Sequence, residues 1–168
     1  IVVSGINHGP NLGADVIYSG TVSAALEGAI LGKPSVAVSL MNGAERLADF
    51  RPAAEFVRRF LPTLETLHLP KQSILNVNVP AVGLEDFAGA KVTKLGLRMY
   101  QDSYERRVDP RGGVYYWLAG EIVEGGDNPN DDVDAIRDNW VTVTPVHIDL
   151  THHTYYEALR EQIDGLRP

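Results

Sequence analysis

Ser4-Gly5-Ile6-Asn7-His8-Gly9-Pro10-Asn11-Leu12-Gly13, running on to Tyr18-Ser19-Gly20-Thr21, is the stretch that decides the fold. The β-branched run Ile1-Val2-Val3 precedes it. After it, Val22, Ala25, Leu26, Ala29 and Ile30 keep the i, i+3, i+4, i+7, i+8 spacing of one helix face. A long polar, glycine-rich loop from Ser4 therefore lies between a strand (Ile1 to Val3) and a helix (Thr21 to Leu31), where α/β proteins hold their ligands. Its glycines let backbone N–H groups come close to a ligand, and Asn7 and Asn11 add neutral oxygen and nitrogen groups. The open N–H groups and dipole of the helix start, with the hydroxyls of Ser19 and Thr21, form a generic phosphate site. The candidate phosphate contacts are Gly9, Asn11, Ser19, Gly20 and Thr21. The plainer alternative is that Ser19 or Thr21 only caps the helix.

Working outward, Gly32-Lys33-Pro34 closes the first helix and Ser35 to Leu40 reads as a buried strand. The resulting βαβ unit implies a right-handed crossover and a parallel sheet. Ser39 lies near the C-terminal end of that strand, although a buried serine is more often simply hydrogen-bonded. Arg51-Pro52 opens a second helix with Ala53, Phe56, Val57, Phe60 and Leu61 on one face; Pro62 is expected to kink or end it, with Leu64 and Leu67 continuing the pattern. Ile74 to Val79 is the next strand. Its Asn76 and Asn78 are either site residues or, by preference, partners for neighbouring loop backbone.

From Lys91 the character changes. Val92 to Met99 reads as one strand, and Tyr100 to Val108 and Val114 to Ile122 flank the turn Asp109-Pro110-Arg111-Gly112-Gly113 as a hairpin. Tyr100, Tyr104, Tyr115, Tyr116 and Trp117, mixed with Arg98, Arg106, Arg107 and Arg111, mark an interface rather than a single-strand nucleic-acid platform. Glu121 to Asp131 is expected to be an acidic, glycine-rich loop. It is not an EF-hand, because Pro129 and Asp132 would stand at positions 3 and 6 of a loop begun at Asp127. Asp131-Asp132 reads as a helix start, Trp140 to Ile148 as a strand, and Tyr155 to Ile163 as a closing helix striped by Tyr156, Leu159 and Ile163. His147, His152 and His153 lack the carboxylate spacing of a metal site.

The chain has 168 residues, 44% of them hydrophobic, enough for one domain with a sizeable core. There is no cysteine, which excludes disulfides and thiolate sites and agrees with a reducing cytoplasm. No apolar run approaches membrane-spanning length. A net charge of -7 argues against a broad nucleic-acid surface but not against a small phosphorylated ligand.

Val3-Ser4-Gly5-Ile6-Asn7, Gly9-Pro10-Asn11-Leu12-Gly13 and Tyr18-Ser19-Gly20-Thr21-Val22 closely resemble the core motif of the SurE family, the stationary-phase survival proteins that act as 5′/3′-nucleotidases. Leu75-Asn76-Val77-Asn78-Val79-Pro80, Asp109-Pro110-Arg111-Gly112 and Val143-Thr144-Pro145 resemble later family segments, in order. The resemblance implies a single three-layer, Rossmann-like α/β domain over residues 1–168 with a mostly parallel sheet, a hairpin arm over 98–122 and a C-terminal helix. It also implies self-association as a homodimer or homotetramer through the arm and that helix. The activity implied is metal-dependent hydrolysis of nucleoside 5′- and 3′-monophosphates, with Asn7 as a ligand of Mg²⁺ or Mn²⁺. In the family an Asn-Asp-Asp motif near the N-terminus supplies the metal carboxylates, and no such region precedes Ile1. The expectation is thus a fragment lacking about the family's first third, with no certain catalytic residue of its own. Two other functions stand beside this one. A non-catalytic phosphate-binding or assembly module is the alternative. A dinucleotide oxidoreductase comes last, since Gly5, Gly9 and Gly13 miss the G-x-G-x-x-G spacing and no ribose-binding acid follows the next strand.

Overall fold

The computed structural model describes residues 1–41, 49–101, 104–118, 121–125 and 128–166. Three strands, β1 (Val2–His8), β2 (Ser35–Leu40) and β3 (Ser73–Val79), run parallel. On the far side of β3 lies β9 (Trp140–His147), antiparallel to it, and outside β9 lies β4 (Gly89–Val92), parallel to β9. The five-stranded order is β1-β2-β3-β9-β4, the expected mostly parallel sheet.

Strand alternation divides the core in two. Val36, Val38 and Leu40 of β2, with Leu75, Val77 and Val79 of β3, face α2 (Arg51–Thr66), where Ala53, Val57 and Leu64 meet them. Ala37 and Ile74 point the other way, onto Val22, Ala25 and Ala29 of α1 (Gly20–Ile30). Helices on both faces explain why every residue of β2 and β3 is buried. On the α1 side, however, the upper half of the sheet is polar: Ser39, Asn76, Asn78, Thr142 and Thr144 are all buried there.

The first strand differs from its expectation. It extends through Ser4 and Asn7 to His8, so the loop is shorter than the polar composition implies. α2 runs through Pro62 to Thr66 without ending there, and Leu64, fully buried, continues its apolar face as the pattern implied. The expected single strand from Val92 to Met99 is two, β4 and β5 (Leu97–Gln101). The chain leaves β9 at Thr93, whose hydroxyl meets Thr144 at 2.7 Å, and Lys94 and Gly96 instead bond to Asn130 and Asp132.

Beyond β5 lie two antiparallel ribbons. β5 pairs with β8 (Glu121–Gly125), so part of the expected acidic loop is strand. β6 (Tyr104–Val108) pairs with β7 (Val114–Leu118) in the register Val108 to Val114, around the expected turn. Asp109 ties that turn by accepting from the N–H groups of Arg111 (2.7 Å) and Gly113 (2.8 Å). Tyr104, Tyr115, Tyr116 and Trp117 are exposed, with Arg107 over the Trp117 ring at 5.2 Å. The side chains of Arg98 and Tyr100 lie outside the described residues. α3 (Asp132–Arg137) is capped by Asp131, and α4 (His153–Ile163) exposes Tyr156, Leu159 and Ile163.

Candidate functional site

The site forms at the C-terminal ends of β1, β2 and β3, and a bulge in β1 sets its geometry. Ser4 lies opposite Ala37 and Asn7 opposite Ser39, so Gly5 and Ile6 together face the single residue Val38. One extra residue changes the parity of the strand. Ile6 thereby packs with the α2-side core, whereas Asn7 turns to the face that carries Ser39. Only glycine fits at the bulge. Gly5 has φ of +117°, and a Cβ there would stand 2.3 Å from the carbonyl oxygen of Val38. A lone glycine in a β-branched run is the signal that could have revealed this.

Asn7 donates from Nδ2 to the carbonyl of Gly9 at 2.9 Å, which leaves Oδ1 as the oxygen of the amide that is available to a ligand. The N–H of Gly9 is taken by the carbonyl of Leu40 at 2.9 Å. Asn11 is buried and bound on several sides. Its N–H donates to Asn78 Oδ1 (2.8 Å), its Nδ2 donates to Ser39 Oγ (2.6 Å), and its carbonyl accepts from Asn76 (2.8 Å) and Asn78 (3.1 Å). The preference for Asn76 and Asn78 as partners of loop backbone is met, and Ser39 is a contact that sequence reasoning mentioned without using.

A short 3₁₀ helix, Gly13–Ile17, carries the chain from this turn to α1. Ser19 is the N-cap of α1, its Oγ accepting from Val22 N–H at 3.1 Å. Gly20 and Thr21 occupy the first two helical positions, whose N–H groups have no acceptor within the helix. Ser19→Ala is expected to cost about 1 kcal/mol, read as a lower midpoint in thermal or urea unfolding. Pro10, Asn11, Asp15, Tyr18 and Ser19 line a shallow pocket of about 280 Å³.

The residues of the site are therefore linked through neighbours. Asn7 pairs across to Ser39, Ser39 holds Asn11, and Asn11 shares the pocket wall with Ser19. Sequence reasoning read Asp132 only as part of a helix start. It is fully buried 119 positions away, and its Oδ2 accepts from Gly13 N–H at 3.0 Å. Burial pushes its carboxyl above the usual carboxylate range, against the pull of the backbone N–H groups of Gly96 and Gly13. The histidines are committed locally: His147 accepts from Asp149 N–H, His152 from Tyr155 N–H, and His153 pairs with Asp149 at 2.7 Å.

A mostly parallel sheet between helices, with a polar cradle at the strand C-termini, defines a Rossmann-like α/β protein, a class whose ligand sites lie at the strand ends. The family model of survival protein SurE matches residues 1–102. The chain belongs to the SurE family. A protein named 5'-nucleotidase SurE from Gloeobacter violaceus is 53% identical over 90% of this chain and 57% of its own length. Another of that name, from Synechococcus elongatus, is 54% identical over 94% of this chain and 62% of its own. The crystal structure of SurE from Aquifex aeolicus superposes with a TM-score of 0.80 at 36% identity, covering 96% of this chain and 64% of that one. The chain thus spans about three fifths of the length of these relatives.

Proposed function

We propose that the protein to which this chain belongs is a divalent-metal-dependent phosphomonoesterase that hydrolyses nucleoside 5′- and 3′-monophosphates to nucleoside and phosphate. The observation that carries the reading is the bulge that turns Asn7 onto the face of Ser39, which holds Asn11 in a pocket wall shared with Ser19. The names of its relatives support the substrate class.

In this reading the N–H groups of Gly20 and Thr21 and the Thr21 hydroxyl bind phosphoryl oxygens, while Gly9, Asn11 and Ser19 shape the floor beneath them. The amide of Asn7 suits a hard ion, Mg²⁺ or Mn²⁺, because its Nδ2 is spent on Gly9 and its Oδ1 is not. Among the described residues no group of three or more His, Cys, Asp or Glu could hold a metal ion. The carboxylates that balance a dication come, in this proposal, from outside them. A bound divalent ion supplies charge neutralisation at the phosphoryl oxygens and an acidified water.

The reading extends to a cytoplasmic homodimer or homotetramer assembled through the 98–122 arm and α4, supported by the exposed aromatics of β6 and β7 and the apolar stripe of α4. No helix among the described residues is long and apolar enough to cross a membrane. The expected result is phosphate release from AMP or GMP by the full-length protein with Mn²⁺, lost on chelation with EDTA and restored by Mn²⁺ or Mg²⁺. Release that persists in EDTA would overturn the metal requirement. The lack of an acidic cluster among the described residues favours a second reading, a phosphate-binding or assembly module. Nucleotide binding by calorimetry with no phosphate release from the full-length protein would establish it.

A further inference from the structure

Asp132 is placed unlike an ordinary helix-start acid. Capping of α3 falls to Asp131, which accepts from Asp134 N–H at 2.9 Å, so Asp132 is not needed there. Instead its carboxylate reaches two distant backbone donors, Gly13 N–H at 3.0 Å and Gly96 N–H at 2.8 Å, while its own N–H bonds to the carbonyl of Lys94 at 2.9 Å. The same short helix grips the neighbouring residue: Leu12, 2% exposed, packs with Val133 and Ile136. α3 thus holds the Leu12-Gly13 turn by an apolar contact and a charged acceptor, and the sheet holds Asn11 just before it. One short 3₁₀ helix joins that turn to Ser19, and its Val16 packs against the α1-side core. The placement of Gly13 therefore bears on the mouth of α1 a few residues on, while Asn7 is set separately in β1.

We propose that Asp132 is a positioning residue for the phosphate site, fixing the Asn11-to-Gly13 turn so that the start of α1 stays in register with Asn7. This rests on the nucleotidase reading for its kinetic consequence but not for its structural one. Asparagine at 132 keeps one carbonyl oxygen for one N–H and sets an NH₂ against the other, so it should loosen the turn without emptying the site.

The test compares full-length wild-type protein with Asp132→Asn and Asp132→Ala, by steady-state hydrolysis of AMP with Mn²⁺ and by amide hydrogen exchange. In Asp132→Asn, KM is expected to rise about 10-fold with kcat within about threefold, as loss of phosphate binding requires. Exchange in a peptide covering residues 9–18 should quicken about 10-fold, with β2 and β3 unchanged. Asp132→Ala should show a larger KM change. A merely structural role would lower kcat at unchanged KM, through fewer folded molecules, and quicken exchange in β2 and β3 as well. Either that pattern, or wild-type values of both KM and loop exchange, would overturn the proposal. If the wild-type protein releases no phosphate the nucleotidase reading fails, and the 9–18 exchange alone then decides whether Asp132 holds the turn.

Discussion

Asn7→Ala in the full-length protein is expected to lower phosphate release from AMP by about 100-fold or more, in line with the loss of a metal ligand. The reasoning begins with what else the side chain does. Its one side-chain hydrogen bond among the described residues, Nδ2 to the carbonyl of Gly9 at 2.9 Å, is a partly buried neutral bond. Such a bond contributes about 1 kcal/mol, so the variant should fold and melt within a few degrees of the parent. A large loss of turnover in a folded protein then points to Oδ1, not to the scaffold. Asn7→Asp supplies a control, since it keeps an oxygen for the ion and replaces the donor to Gly9 with a carboxylate facing a carbonyl. Activity should recover in part, with a raised requirement for Mn²⁺. Turnover unchanged in Asn7→Ala would remove the residue from the site and the strongest support from the proposed function.

Gly5→Val should be the most damaging single change to the fold. A branched side chain at φ of +117° is strained, and its Cβ would meet backbone, the carbonyl oxygen of Val38 at 2.3 Å, which cannot swing away as a flexible side chain could. A loss of about 4 kcal/mol or more follows from the combined mechanisms, large against a total of about 5–15 kcal/mol for a domain. Soluble yield and the thermal midpoint measure it. Gly20→Ala is the comparison: no atom lies within 4 Å of its added Cβ, and alanine favours a helix. Equal midpoints for the two variants would show that the bulge tolerates a side chain and that its geometry does not fix Asn7.

The parts of this fold that were legible in sequence are those written in local pattern. Gly32-Lys33-Pro34 ended α1 within a residue of its true limit at Ile30, and the face of Ala53, Phe56, Val57, Phe60 and Leu61 is the one that α2 turns to the sheet. The Asp109 to Gly113 turn likewise needed only its proline and glycines, and the strands beside it pair as expected. What was hidden is non-local. The break between β4 and β5 depends on Gly96 donating to a carboxylate 36 positions on, and the turn at Gly13 on the same group 119 positions on. No periodicity records such a contact. In the site, Asn7 and Ser19 stood out from their setting in the glycine-rich stretch. Asp132 did not, because an acid at a helix start has a sufficient local explanation. Gly9 and Asn11 stood out in the same stretch, but that Gly9 N–H goes to Leu40 and that Asn11 donates to Asn78 and Ser39 is known from bonding partners alone.

The two tryptophans of this chain sit in different surroundings. Trp117, 54% exposed, rides on the outer ribbon beneath the Arg107 guanidinium, whereas Trp140 is half-buried on β9 with Lys91 above its ring. Intrinsic fluorescence is accordingly a two-channel signal. A dissolved quencher reaches the ribbon indole more readily than the sheet indole, and a change confined to the arm alters one emission band and leaves the other as an internal standard.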